Sequence, residues 1–145
     1  MNETEVYFTL FTSSFVSSPV LPGHSELTLT AFIYLNKFST TNLILVASLG
    51  NILGSVLNWY LGFYFVKFKE KKWFPINSSQ LEKASLWFAT YGKWTLFLSW
   101  VPFIGDPLTV VAGILRIPII TFVIIVSISK ILRYVFISLI ALNVF

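Results

Sequence analysis

Two acidic residues follow a proline by four places, in Pro22-Gly23-His24-Ser25-Glu26 and Pro102-Phe103-Ile104-Gly105-Asp106. Each acid stands beside a chain break inside an apolar stretch, and an ionisable group in that setting is a candidate proton carrier. His24, next to the first acid, can carry a proton by type. The competing reading is structural: each acid accepts hydrogen bonds from freed backbone amides or pairs with Lys130 or Arg133. Lys130 and Arg133 fall near the middle of the last apolar run, three places apart and so on one helical face. Two cations facing lipid at that depth are costly, so the spacing predicts that both point inward. Arg116 stands at a loop edge, where topogenic and snorkelling roles compete with a binding role. Together the three bases supply what an anionic headgroup needs, arginine as a two-pronged donor and lysine as a point charge. A hydrolytic set could be drawn from Ser25, His24 and Asp106. Adjacent Ser and His on a turn do not make a triad, however, and no nucleophile elbow is present, so no enzymatic activity is expected. With no cysteine and one histidine, neither a metal site nor a cofactor is expected.

The elements that must position these residues belong to a membrane protein. Of 145 residues, 56% are hydrophobic and 11% charged, and the mean hydropathy is +0.80; water-soluble domains carry about 25% charged residues. The long segments are apolar on all faces, as lipid requires. Leu43 to Val66 holds no charge and is followed by Lys67 and Lys69, so it reads as a transmembrane helix. Its Gly50-x-x-x-Gly54 invites close helix packing, and Asn51 and Asn58 face protein, as packing glue or as substrate ligands. Five of the eight lysines lie in or beside 67–83, which reads as a cytoplasmic loop rather than a nucleic-acid surface. Ser79-Gln80-Leu81-Glu82 offers a capping box for the helix that follows. Ile117 to Phe145 is the last apolar helix. The opening Met1-Asn2-Glu3-Thr4-Glu5 has no basic region ahead of the apolar run, so the first hydrophobic stretch is expected to stay in the mature protein.

The remaining apolar stretches are broken. Val6 to Leu21 and Leu27 to Leu35 flank Pro19, Pro22 and Gly23; Ala84 to Ile104 and Leu108 to Leu115 flank Pro102, Gly105 and Pro107. Neither half of the first segment reaches the roughly 20 residues of a span, which favours a re-entrant helical hairpin, and the second segment repeats its shape. A Leu-Thr pair follows each acid closely (Leu27-Thr28, Leu108-Thr109), and each broken segment leads into one long helix. The expected architecture is therefore an all-α membrane domain. It is an inverted repeat of hairpin plus transmembrane helix, with repeat 1 at about 6–66, the loop at 67–83 and repeat 2 at about 84–145.

Ser13 to Glu26 (SSFVSSPVLPGHSE), the helix with Gly50-Asn51 and Asn58-Trp59-Tyr60-Leu61-Gly62, Tyr91 to Arg116 (YGKWTLFLSWVPFIGDPLTVVAGILR) and Lys130-Ile131-Leu132-Arg133-Tyr134 resemble the small YqaA-like branch of the DedA family, within the VTT or SNARE-associated superfamily. The likeness covers nearly the whole chain. It implies a bacterial inner-membrane protein with two opposed re-entrant hairpins, in a superfamily associated with undecaprenyl-phosphate recycling, proton-coupled transport and, in eukaryotic relatives, phospholipid scrambling. By position Glu26 matches the acid that DedA proteins need after the first hairpin. The second hairpin departs from the main pattern Gly-x7-Arg-[Phe/Tyr]-x-Pro-x-x-Arg. Gly92 and Pro102 are kept, but Ser99 stands where the first phosphate-binding arginine is expected and Gly105-Asp106 where the second is.

Two functions follow as expectations. One is transport or flipping of a lipid-linked or small anionic substrate, such as a polyprenyl phosphate or phospholipid, with Glu26, Asp106 and His24 for proton coupling and Arg133, Lys130, Arg116 and Ser99 for the anion. The other is a structural or assembly role through helix–helix contacts of the Gly50/Gly54 face, including self-association. No nucleic-acid partner is expected.

Overall fold

The computed structural model describes residues 2–17, 24–35, 37–65, 78–100 and 105–144. The chain enters its first helix, α1 (Glu3–Ser17), through a reciprocal cap. Asn2 Oδ1 accepts from the Glu5 amide at 2.8 Å, and Glu5 Oε2 accepts from the Asn2 amide at 3.1 Å, which satisfies two orphan donors of the first turn. Helix α2 (His24–Leu35) follows, then α3 (Thr40–Phe65). Helix α4 (Ser78–Tyr91) leads into a 3₁₀ helix (Gly92–Trp100), and α5 (Gly105–Ile114) and α6 (Ile119–Val144) complete the chain. No strand occurs among the described residues. Helices α3 and α6 are long and apolar enough to cross a membrane. At 26 residues each, they extend about 39 Å at 1.5 Å per residue, against a hydrocarbon core of about 30 Å.

Three boundaries differ from the sequence reading. The chain is already helical from Ser78, so the last six residues of the expected 67–83 loop belong to α4. The second broken segment has an additional break at Gly92, whose φ of +61° ends α4 in the left-handed conformation that glycine adopts freely. Helix α5 opens at Gly105 rather than Leu108, with Pro107 in its first turn, where proline is tolerated because the first amides have no intrahelical acceptor. Pro22, Gly23 and Pro102 lie outside the described residues.

Helix α1 runs along the first half of α3 and in the same direction. Val6 and Leu10 cluster with Leu43 and Ala47, and farther along Gly50 meets the Phe11 carbonyl and Ser14. Helix α5 runs along the second half of α3. There the Asn58 side-chain amide donates to Thr109 Oγ1 at 3.0 Å, Gly62 abuts the Val110 carbonyl and Gly113 abuts the Trp59 carbonyl. Glycine is required at these three crossings, because a Cβ would strike backbone atoms that cannot swing away. The 3₁₀ helix and α2 pack in turn on α6, Tyr134 and Ala141 clustering with Leu29, Phe32 and Ile33 of α2. Each long helix therefore carries the first arm from its own half of the chain and the second arm from the other half. Helix α4 lies against the 3₁₀ helix and α5, burying Ala84 and Phe88.

The burial pattern of α3 recurs along α6 at a displacement of 79 places, the offset from Thr40 to Ile119. Leu43, Ala47, Gly50, Asn51, Gly54, Ser55, Trp59 and Gly62 are buried, and so are Phe122, Val126, Ser129, Lys130, Arg133, Tyr134, Ser138 and Ala141 in the same order, whereas Ser48, Asn58 and Ile125 are buried without a buried counterpart.

Candidate functional site

Both long helices bury polar side chains in the interior. Asn51, Ser48, Ser55 and Asn58 of α3 and Ser129, Lys130, Arg133 and Ser138 of α6 are all buried. A helix in lipid has no reason to face such groups outward, since nothing there hydrogen-bonds to them; the hydrophobic positions between them make the outer surface. Lys130 has no accessible surface and Arg133 has 4%, so both cations of the mid-helix pair face inward. Arg133 also lies against the Tyr134 ring, at 5.8 Å.

Helix α3 is joined to its neighbours through this interior. The Asn51 side-chain amide donates to the Ser14 carbonyl at 3.0 Å. Trp59 Nε1 donates to the Ile117 carbonyl at 3.0 Å, tying the α5–α6 connection to α3. Ser129 Oγ donates to the Ile125 carbonyl at 3.1 Å and lies 3.4 Å from the Leu96 and Phe97 carbonyls of the 3₁₀ helix. Ser99 is fully buried. Among the described residues, Ser14, Ser48, Ser99 and Ser138 Oγ and Asn51 Oδ1 have no hydrogen-bond partner. Buried polar atoms are nearly always bonded, so the interior retains capacity for a polar ligand or water.

Glu26 and His24 fall in the opening turn of α2, and Asp106 in that of α5, each at the chain break of its arm pair; their side chains lie outside the described residues. Arg116 stands apart from Lys130 and Arg133. It closes α5 in a Schellman turn, with Arg116 N to Gly113 O and Ile117 N to Ala112 O both at 3.0 Å, at φ +59°. Its guanidinium lies over the Phe63 ring, 4.7 Å from the centroid, and it is exposed. The Gly50/Gly54 face is buried, Gly50 against α1. The small residues that invite a partner helix have admitted one from the same chain. An apolar groove of about 430 Å³ opens beside Phe97, Ser129, Leu132, Val135, Phe136 and Leu139. At 100° per residue it occupies a face of α6 turned well away from Lys130.

Ser14 and Ser129 contribute polar contacts that the sequence pattern does not single out. The available signal is hydroxyl residues in apolar helices, which cross-bond neighbouring helices where lipid offers no alternative.

The profile described as the VTT domain matches residues 21–142. The chain is 41% identical over 138 residues to inner membrane protein YqaA of Escherichia coli (strain K12), covering 93% of this chain and 90% of that protein. An uncharacterized protein of Haemophilus influenzae is 34% identical over 134 residues, covering 87% of this chain and 81% of its own. Undecaprenyl phosphate transporter A of Staphylococcus aureus is 25% identical over 116 residues, covering 74% of this chain and 57% of that protein. No solved structure matches the chain significantly.

Proposed function

Because the chain belongs to the VTT-domain (DedA) family of membrane proteins, we propose that it is an inner-membrane transporter or flippase for a lipid-linked anion, coupled to proton movement. The observation that carries this reading is the complete or near-complete burial of Lys130 and Arg133 in the middle of a membrane-length helix. Two cations held at that depth offer positive charge to a lipid phosphate while its chain stays in the bilayer. The relative named undecaprenyl phosphate transporter A supports a polyprenyl phosphate as that class. Glu26 and Asp106, at the starts of α2 and α5, are the proton-coupling groups in this reading, with His24 as an accessory.

The proposed architecture is the inverted repeat of hairpin plus transmembrane helix, with hairpins that enter from opposite faces and return. Arm lengths support it: α1 and α2, with 15 and 12 residues, reach about 22 and 18 Å, less than the hydrocarbon thickness. Helices α1 and α3 also begin at the same end, and their contacts occupy only the first half of α3. The lysines of 67–83 favour the cytoplasmic side for the stretch between α3 and the first turns of α4, with the connection before α3 and the C-terminus opposite. Impermeant-thiol labelling of single cysteines in this Cys-free chain tests the orientation, and labelling of Lys71→Cys in intact cells would reverse it.

The functional test is flux of labelled polyprenyl phosphate in reconstituted vesicles, with and without a pH gradient, per folded molecule. Wild-type protein is expected to move the lipid faster under the gradient. Glu26→Gln is expected to fold but lose the gradient response, and Glu26→Asp to keep part of it. Flux no faster than in protein-free vesicles would refute transport. Full activity in Glu26→Gln with an unchanged pH profile would remove the proton-carrier role.

A further inference from the structure

Arg116 is a cation that the polar interior does not use, and it stands where its backbone suits a glycine. It holds the left-handed place of the Schellman turn that ends α5, at φ +59°, where glycine is the ordinary occupant because an L side chain crowds its own backbone. The turn is pinned to the last turns of α3. Gly113 abuts the Trp59 carbonyl, Gly62 abuts the Val110 carbonyl, and Trp59 Nε1 donates to the Ile117 carbonyl at 3.0 Å. Closing the turn therefore makes no use of the arginine side chain.

That side chain lies on an aromatic strip instead. The guanidinium carbon stands 4.7 Å from the Phe63 centroid. Phe63 meets Tyr64 edge-on at 4.7 Å, and Tyr64 stacks on Tyr60 at 5.7 Å. Tyr60 and Tyr64 are 43% and 59% exposed, and Arg116 is exposed as well. A ring attracts the charge of the cation but leaves most of its five N–H donors to other acceptors, and no carboxylate among the described residues pairs with it. Helix α3 exceeds the hydrocarbon thickness by about 9 Å, so when centred it projects by about 4.5 Å, or about three residues, at each end. Its last residues are Phe63, Tyr64 and Phe65, which sets the guanidinium against Phe63 at the level of the headgroups, with tyrosine beside it as at other membrane interfaces. Lys67, Lys69, Lys71 and Lys72 follow closely in the sequence, so this end of the protein attracts anionic lipid.

We propose that Arg116, held on Phe63 beside Tyr60 and Tyr64, is a surface site for an anionic phospholipid, whose phosphate takes the donors of the guanidinium while its chains lie in the leaflet. The site is separate from the buried Lys130 and Arg133 and does not depend on the transport reading. A left-handed arginine fits this role, since strain is kept at a place where glycine would serve the turn better.

Thermal melting of the full-length protein in uncharged detergent tests the site, with titrations of phosphatidylglycerol, zwitterionic phosphatidylcholine and inorganic phosphate. Phosphatidylglycerol should raise the wild-type melt well above either of the others. Without lipid, Arg116→Gly relieves the backbone and should melt near wild type or above it, whereas Arg116→Gln keeps the strain and should melt lower. Both should lose at least about fivefold in apparent affinity for phosphatidylglycerol, the scale of a charge-assisted hydrogen bond. Lys93→Gln removes the same charge from another exposed cation on a ring, over Trp94, and should lose less than about twofold. Losses in the Arg116 variants no larger than in Lys93→Gln overturn the proposal, because net charge then explains the response. So does a wild-type protein that phosphatidylcholine or inorganic phosphate stabilises as much as phosphatidylglycerol does. Failure of both Arg116 variants to fold overturns it too, since the side chain is then required by the fold itself.

Discussion

Gly50→Ala is the most direct probe of how α1 is held on α3. A Cβ at position 50 would lie 2.6 Å from the Phe11 carbonyl oxygen, 3.0 Å from Ser14 Cβ and 3.3 Å from the Phe15 amide nitrogen. The nearest obstacle is backbone, so no side chain can turn aside. To restore an ordinary contact of 3.4 Å from 2.6 Å, α1 must retreat by their difference, 0.8 Å. The same retreat stretches the bond from Asn51 to the Ser14 carbonyl, now 3.0 Å, toward about 3.8 Å, outside hydrogen-bonding range. Overpacking typically costs about 1–3 kcal/mol, and a buried hydrogen bond contributes about 0.5–1.5 kcal/mol net. The expected loss is therefore roughly 2–4 kcal/mol. It is measured by reversible unfolding in mixed micelles, with Gly92→Ala as a control at a position open to solvent but fixed at φ +61°, expected to lose about 1 kcal/mol. A Gly50→Ala protein within about 0.5 kcal/mol of wild type would refute the close-approach argument.

Arg116→Ala retains the positive φ and loses the contact with Phe63, so it should lose about 0.5–1 kcal/mol. Arg116→Gly relieves the backbone strain as well and should come out near wild type; the two variants melting alike would count against a strained Schellman turn. Trp59→Phe keeps an aromatic ring beside Phe63 but removes the donor to the Ile117 carbonyl; it should melt lower by the equivalent of about 1 kcal/mol, and an unchanged melt would show the bond to be dispensable. Asn58→Leu and Thr109→Val, combined in a double-mutant cycle on unfolding free energy, should show a coupling of about 0.6–1.7 kcal/mol. Strict additivity would mean that their 3.0 Å bond does not hold α5 to α3.

The two long helices were legible because apolar stretches of membrane length have few alternative readings. The sequence reading places them at 43–66 and 117–145, against Thr40–Phe65 and Ile119–Val144. The inward direction of Lys130 and Arg133 was legible for the same reason, since exposure to lipid is costly. The conformation at Gly92 was not, because a lone glycine before Lys93 reads equally as loop or helix. Nor was Arg116 at φ +59°, because nothing in its side chain announces a left-handed backbone. Gly62 and Gly113 lack the four-residue spacing of Gly50 and Gly54, so their reciprocal approach to backbone across α3 and α5 emerges only in three dimensions. Of the candidate site, Asn51 and Asn58 announced themselves by being costly in lipid, whereas a buried serine such as Ser14 or Ser129 blends into an apolar helix at little cost.

The exchange of second arms, α5 resting on α3 and α2 on α6, makes neither half self-sufficient. A ribosome that has finished α3 has inserted a helix whose Gly62 surface must wait for α5, while Leu29, Phe32 and Ile33 must wait for Tyr134 and Ala141. The nascent chain therefore cannot mature half by half, and quality-control proteases gain a window in which the first half is incomplete. The same interlock acts as a molecular zip between fragments: a chain severed in the connection between α3 and α4 retains on each piece the surface that the other lacks. Co-expressed as two polypeptides, the pieces have a template for reassembly that an unlinked pair of self-contained repeats would not.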